Sequence, residues 1–198
     1  MKISIFDTSA LIRLKNGDAL NCLQCFDKIY IPVAVQNECL DPISSQIIKK
    51  PPFEVHEVKT VLNLGVKLGL GETEAISLAV ELNIKDIVID DKDAVKKALQ
   101  QGLEPVSSLQ LLIIAKHDGI IDSVVKVTET MKANGENLDE HGYLEALNAA
   151  DEIPDHDPSP LEDMQPMTSD APLPSPSVLS NQHEDQEEET KKEESGVL

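Results

Sequence analysis

The sequence predicts an α/β fold of three layers, in which helices cover both faces of a mostly parallel central sheet. Short runs of β-branched residues, such as residues 3–6 and 87–89, alternate along the chain with segments of helical pattern. Strand–helix–strand connections of this kind form right-handed crossovers that leave neighbouring strands parallel. Because the 198 residues include no tryptophan, two tyrosines and three phenylalanines, the core is expected to be aliphatic.

The strands and helices are predicted from hydrophobic period and from capping residues. The predicted strands are residues 3–6, 29–31, 53–57, 87–89 and 105–106. The predicted helices are residues 8–16, 19–26 capped by Asp18, 32–40 opened by Pro32, one before the strand at 53–57, one between that strand and residue 70, then 72–82, 94–99, 109–116, 121–133 and 139–150.

The composition changes at residue 151. Residues 151–198 are rich in proline, serine and acids, with 14 acids against two lysines, so they carry −12 of the formal net charge of −19. Such a segment cannot bury enough apolar area to offset the entropy of ordering it. We therefore expect a folded domain over residues 1–150 and a disordered acidic tail over 151–198.

The expected location is the cytoplasm. No stretch is long and apolar enough to cross a bilayer, and residues at the N-terminus do not follow the pattern of a signal peptide. Three cysteines are too few for a disulfide framework, and Cys22 and Cys25 lack the second ligand pair of a zinc site. Both are expected to be structural thiols. Residues 69–71, Gly-Leu-Gly, predict a turn into a helix, because they lack the further residues of a phosphate-binding loop.

Several carboxylates are predicted to meet at one edge of the sheet. Asp7 follows the first strand, and Asp90 and Asp91 follow a later one, while Glu38 and residues 72–74 lie at or near helix starts. Ligands of open parallel sheets gather at the carboxyl ends of the strands. Each acid alone is more simply explained as a helix cap or as a partner of the helix dipole. The prediction of a site therefore depends on their arriving together.

Clustered carboxylates without basic partners raise one another's pKa, and a hard divalent cation relieves this repulsion. Mg²⁺ and Mn²⁺ prefer oxygen ligands and retain several waters, so two to four carboxylates can form a site. Such a metal can hold a phosphodiester, lower the pKa of a water molecule and stabilise the leaving oxygen.

The order of five segments resembles the PIN-domain ribonucleases, and within them the branch related to VapC-type toxins. The segments are FDTSALI, IPVAVQNECL, GLGETEAISLA, DIVIDDKDAVKKALQQG and VSSLQLLIIAKHDGIIDSV. The match covers essentially residues 1–150 and leaves the tail uncovered. The third segment resembles a subgroup that carries a Gly-Glu-x-Glu-Ala helix. The resemblance implies the PIN-like α/β/α fold and a ribonuclease that uses Mg²⁺ or Mn²⁺.

The resemblance also implies roles for particular residues. Asp7, Glu38 and Asp91 match family acids that are catalytic and hold the metal, with Thr8 and Ser9 as auxiliary hydroxyls. Spacing to the residues that follow favours Glu74 as the third acid, in place of the aspartate that many relatives use. Glu72 is the alternative third acid. Glu72, Asp90 and Asp93 are further candidate metal ligands.

The resulting prediction is an endoribonuclease, toxin-like or engaged in RNA processing, that uses Mg²⁺ or Mn²⁺. Family resemblance implies a homodimer and allows an antitoxin-like or other protein partner. No membrane association is expected, because no stretch can cross a bilayer. Lys92, Lys96 and Lys97 are candidate contacts to the RNA backbone, although a solvated helix face explains them equally well. The alternative is a PIN-fold module that binds protein or RNA without cleaving, which the acidic balance and the substituted third acid favour.

Overall fold

The computed structural model describes residues 2–65 and 67–152. Five strands form one sheet in the order β3-β2-β1-β4-β5, and every pair is parallel. The predicted three-layer α/β/α fold is confirmed, with a sheet that is parallel throughout. The strands are β1 (Ile3–Phe6), β2 (Lys28–Pro32), β3 (Phe53–His56), β4 (Asp86–Val88) and β5 (Glu104–Val106).

Helices follow the strands and extend the fold beyond the last one. A 3₁₀ helix at Leu20–Cys25 precedes β2. The α-helices are α1 (Thr8–Asn16), α2 (Val33–Glu38), α3 (Pro42–Ile47), α4 (Leu70–Leu82), α5 (Lys92–Gln100), α6 (Ser108–His117), α7 (Val124–Ala133) and α8 (Glu140–Ala149). No helix in the described part of the chain is long and apolar enough to span a membrane.

Alternating side chains of the central strands build a core on each face of the sheet. Phe6 and Val88 pack into the core shared with α1, α6, α7 and α8. Ile5, Ile87 and Ile89 point the other way and pack against α4 and α5. This alternation follows from the two-residue period of a strand and confirms an aliphatic core with helices on both sides.

The register of β1 and β4 determines where the acids lie. Phe6 pairs with Val88, and the Asp7 amide donates a hydrogen bond to the Val88 carbonyl at 3.1 Å. The chain therefore leaves β1 and β4 at the same level of the sheet. Asp7 and the pair Asp90 and Asp91 are consequently delivered to one edge, as the sequence predicts.

Three local predictions are wrong. Asp18 has a φ of +53° and caps no helix; the 3₁₀ helix that follows begins without a side-chain cap. Helix α2 ends at Glu38 instead of Leu40, because Asp41 caps α3 with hydrogen bonds to the amides of Ile43 and Ser44. Within the described residues between β3 and α4, no helix forms.

Cys22 is buried in the 3₁₀ helix, and burial raises the pKa of its thiol to about 12. This agrees with a structural thiol, since the reactive form of cysteine is the thiolate. The predicted disordered tail begins at residue 151, and from residue 153 onward it lies outside the described residues.

Candidate functional site

Asp7 lies at the acidic edge, which is the edge of the sheet to which β1 and β4 deliver Asp7, Asp90 and Asp91. Only 2% of its surface is exposed, and it caps α1 by accepting hydrogen bonds from the Ser9 amide at 3.2 Å and from the Ser9 hydroxyl. Burial raises the pKa of the Asp7 carboxyl; the nearby charge of Glu38 raises it further, while the hydrogen bonds from Ser9 and Thr8 oppose the shift. Asp7 therefore both caps α1 and belongs to the carboxylate cluster.

Glu38, which the sequence analysis places near a helix start, instead occupies the last position of α2 and approaches Asp7 from there. Its Oε2 accepts a hydrogen bond from the Thr8 hydroxyl, and its Oε1 accepts one from the Gly71 amide at 3.1 Å. The side chain is exposed at the rim of the site although both carboxylate oxygens have donors. Thr8 and Ser9, the predicted auxiliary hydroxyls, thus each hold one of the site carboxylates.

Glu72 lies among the other acids. It accepts a hydrogen bond from the amide of Gly69, the N-cap residue of α4. Burial raises the pKa of Glu72, the Gly69 amide lowers it, and the charges of Asp7, Asp91 and Glu38 all raise it. Four carboxylates from four separate segments therefore influence one another electrostatically around this residue.

Glu74, which sequence spacing favours as the third acid, faces a different partner. Its Oε2 accepts a hydrogen bond from the Ala34 amide at 3.1 Å, in the first turn of α2. Helix α2 has Pro32 as its N-cap, and Pro32 offers no side-chain acceptor. Glu74 thus satisfies an otherwise open amide of α2, and the structure brings Glu72, the alternative, to the cluster instead.

Three acids follow β4, and Asp90, Asp91 and Asp93 each lie in a different environment. Asp91 caps α5 through Oδ1, which accepts from the amides of Asp93 and Ala94 at 2.9 and 2.8 Å, and its side chain is exposed beside Glu72. Asp93 instead pairs with Lys96, whose ammonium lies 2.9 Å away and lowers the pKa of Asp93. Asp93 is therefore directed to the helix surface.

Asp90 connects the acidic edge to α1 and α6. Its Oδ1 accepts from the amide and hydroxyl of Ser108 at 2.8 and 3.0 Å and lies 3.3 Å from the Arg13 guanidinium. Its Oδ2 is buried and has no hydrogen-bond partner among the described residues. Water or an ion usually meets such an oxygen in proteins. Arg13 also pairs with Glu136 at 3.3 Å, so this network joins α1 to the segment after α7.

An open cleft of about 930 Å³ adjoins the cluster. Glu72 and Asp91 form its acidic side, and Arg13, Asn137 and Asp139 lie along the rest of its wall. The cleft gives the half-buried Glu72 and the exposed Asp91 access to a molecule considerably larger than water.

The donors in this site fit a hard divalent cation by their chemistry. Asp7, Glu38, Glu72 and Asp91 offer carboxylate oxygens, and none of them forms an ion pair with lysine or arginine within residues 2–65 and 67–152. In the same part of the chain, no three acidic, histidine or cysteine side chains form a ready cation cage. Mg²⁺ commonly binds through one or two carboxylates and several waters, so it does not require a complete cage of protein ligands.

Two of the lysines predicted to contact RNA have acidic partners. The Lys92 ammonium lies 3.2 Å from Asp139, and Lys96 pairs with Asp93 as described above. The Lys97 ammonium donates to the Gln100 side chain at 3.1 Å. These contacts suit a solvated helix face, and contact with RNA stays a prediction.

Sequence reasoning missed the backbone donors of residues 69–71 and the Arg13–Asp90–Ser108 network. The amides of Gly69 and Gly71 each hold one site carboxylate. The signal was available as two glycines flanking Leu70 immediately before the acidic helix. The network brings together residues 13, 90 and 108, and no local pattern links them.

A family of known proteins matches nearly all of the described part of the chain. Residues 3–152 match the family model described as DUF3368: PIN domain. No curated protein matches the chain. Among solved structures, the chain is similar to a PilT N-terminus domain protein, SSO1118, from the hyperthermophilic archaeon Sulfolobus solfataricus P2, at 19% identity and a TM-score of 0.40 over 70% of this chain and 98% of that one.

Proposed function

Because this chain belongs to the PIN-domain family, whose members are generally nucleases, we propose that it is a ribonuclease that depends on Mg²⁺ or Mn²⁺. The observation that supports the proposal is the convergence of Asp7, Glu38, Glu72 and Asp91 at one sheet edge, with no basic partner among the described residues. A site whose charges are left uncompensated by the protein is suited to a cation that arrives from solution.

The four acids would hold the metal, with Glu72 in the place that sequence spacing assigns to Glu74. A bound divalent cation supplies positive charge for the phosphodiester and for the leaving oxygen. The chain itself contributes orientation: Ser9 donates to Asp7, Thr8 donates to Glu38, and the α5 amides hold Asp91. These donors fix carboxylates that would otherwise rotate freely, and fixed charges need little reorganisation during a reaction.

RNA as the substrate, a toxin-like role, a homodimer and an antitoxin-like partner remain predictions from the resemblance. The open cleft beside Glu72 and Asp91 supports a polymeric substrate, since a strand can reach both acids from solvent through it. The family match does not identify the VapC-related branch.

A non-catalytic binding module is the second candidate. It is favoured by the absence of a ready cation cage within the described residues and by the hydrogen bonds that already occupy Glu38. On this alternative the carboxylates serve only as caps and braces of α1, α2, α4 and α5. The two candidates differ in whether a divalent cation binds and in whether RNA is cut.

Cleavage of an RNA pool containing structured and single-stranded molecules tests the proposal. The full chain is titrated with Mg²⁺ and with Mn²⁺ beside D7N and D91N, which keep an oxygen acceptor for the helix amides. Asp86→Asn is the matched control, because Asp86 is an exposed acid at the opposite end of β4. We expect metal-dependent cleavage that D7N and D91N lower by at least 100-fold and D86N leaves unchanged. Metal binding without cleavage in the wild type would instead support the binding module.

A further inference from the structure

We propose that Gly71 is a positioning residue for Glu38, an inference that deepens the proposed function and rests on it. Glu38 belongs to α2 and Gly71 to α4, so the contact joins two helices through residues that lie 33 positions apart in the sequence. The Gly71 amide donates to Glu38 Oε1 at 3.1 Å, and Gly71 itself is buried. The glycine thus supplies a donor at the point where the carboxylate reaches the cluster.

The missing side chain of Gly71 supplies space for the same carboxylate. A Cβ built on Gly71 would lie 2.5 Å from Glu38 Oε2, 3.0 Å from Oε1 and 3.1 Å from the carboxyl carbon. Distances below 3.0 Å are too short for such contacts, so the carboxylate and a Cβ cannot occupy their places together. Gly71 has helical backbone geometry, and its conformation alone therefore does not require glycine.

The rest of α2 is held independently of this contact. Glu74 accepts a hydrogen bond from the Ala34 amide at the other end of α2, so α4 contacts α2 at both ends. Glu38 is exposed, and its carboxylate can swing away into solvent. An alanine at position 71 is therefore expected to displace the carboxylate of Glu38 and leave the helices in place. Since alanine is the better helix former, its gain in helix propensity opposes the loss of the hydrogen bond to Glu38, and we expect G71A to remain folded.

The test measures Mn²⁺ binding to the full chain by electron paramagnetic resonance, together with the unfolding temperature. Groups that orient a metal ligand typically change affinity by about 10- to 100-fold when altered, and we expect G71A to raise the Mn²⁺ dissociation constant by that factor. Leu70→Ala is the matched control, because Leu70 lies in the same turn and is 62% exposed. L70A should leave the dissociation constant within twofold of the wild type.

A double-mutant cycle asks whether Gly71 acts through Glu38. If it does, G71A should add nothing to the loss already caused by E38Q, because the charge that Gly71 positions is gone. A G71A variant that binds Mn²⁺ as tightly as the wild type would overturn the inference. Full additivity of the two losses would also overturn it, since Gly71 would then act by another route.

A metal-free measurement separates this inference from the proposed function. In the NMR spectrum of the full chain without metal, E38Q should move the amide proton of Gly71 upfield, because a charged acceptor is replaced by a neutral one. E72Q should move the Gly69 amide in the same way. A wild-type chain that binds no Mn²⁺ but shows these shifts would refute the metal site and leave the contact standing. Absence of the Gly71 shift would refute the contact itself.

Discussion

At the scale of single residues, the site combines carboxylates that brace the fold with carboxylates that repel one another. Asp7 caps α1 and is almost completely buried, and Glu72 accepts a hydrogen bond from the Gly69 amide at the start of α4. Both have raised pKa values, for which burial is the first cause and neighbouring acids a further one. The cluster therefore costs folding free energy whenever these groups are ionised without a counter-charge.

The D7N variant is expected to be more stable than the wild type at pH 7. The raised pKa of Asp7 means that the folded chain binds its proton more tightly than the unfolded chain does. This contribution to stability is complete below the ordinary value of 3.8 and is lost as pH rises through the raised pKa. Asparagine stays neutral and avoids the loss. Single stabilising substitutions commonly add about 0.5–2 kcal/mol to the free energy of unfolding, and D7N should fall in this range.

Urea denaturation of both proteins at several pH values checks this prediction. The advantage of D7N should be largest at neutral pH and should shrink as pH is lowered towards 3.8. An advantage that does not change with pH would mean that ionisation of Asp7 is not its cause.

At the scale of elements, Glu152 holds the end of the described chain against α6 and α7. Its carboxylate accepts from the amides of Val124 and Val125 at 3.0 and 2.7 Å and from the Ser123 hydroxyl, and it pairs with Lys116. Burial acts to raise the pKa of Glu152, but the hydrogen bonds from Lys116 and from the α7 amides lower it to about 2. Glu152 thus serves as a second cap of α7 beside its N-cap residue Ser123, two positions beyond the predicted domain end.

Replacing Glu152 by alanine should lower the free energy of unfolding by about 0.5–2 kcal/mol, the usual cost of losing a helix cap. A lowered pKa gives stability that is present above the ordinary value of 4.5 and is lost as pH falls towards 2. Thermal unfolding followed by circular dichroism should therefore show E152A and the wild type converging below pH 4.5. E152Q, which keeps an acceptor but not the charge, should lie between them at pH 7. Equal stability of E152A and wild type at pH 7 would contradict the capping role.

Elements with local signals were predictable from sequence, and those that depend on distant groups were not. Helix α1 runs from Thr8 to Asn16 as predicted, because Asp7 caps it and Gly17 ends it. Asp18 looked like a cap but has left-handed backbone geometry, which no local pattern revealed. Glu72 and Glu74 lie about 200° apart around the helix axis, so only one can face the cluster. Sequence spacing favoured Glu74, whereas which of the two glutamates faces the cluster depends on where the Ala34 amide of α2 lies.

At the scale of the whole molecule, charge opposes the binding of RNA. The chain carries a formal net charge of −19, and residues 153–198 contain 12 acids and two lysines. Repulsion between exposed like charges is long-ranged at low salt and is screened within about 10 Å at 0.1 M. The acidic segment is therefore expected to reduce encounter with a polyanion whether or not it touches the site.

Deleting residues 153–198, which leaves Glu152 in place, should strengthen RNA binding several-fold at low salt. Fluorescence anisotropy of a labelled RNA is the measurement, made in the D7N background so that cleavage does not interfere. A tail of equal length with its acids changed to glutamine and asparagine should behave as the deletion does. Affinity that is the same with and without the acids would show that the segment does not act through charge.

The most direct test of the carboxylate site is Mn²⁺ binding to the full chain, measured for the wild type, E72Q and E74Q by electron paramagnetic resonance. Both substitutions keep an oxygen acceptor, for the Gly69 amide in one case and for the Ala34 amide in the other, and each removes one negative charge. If Asp7, Glu38, Glu72 and Asp91 hold the metal, E72Q should raise the dissociation constant at least 10-fold and E74Q should leave it within twofold. The reverse order, or a wild type that binds no Mn²⁺, would contradict this assignment.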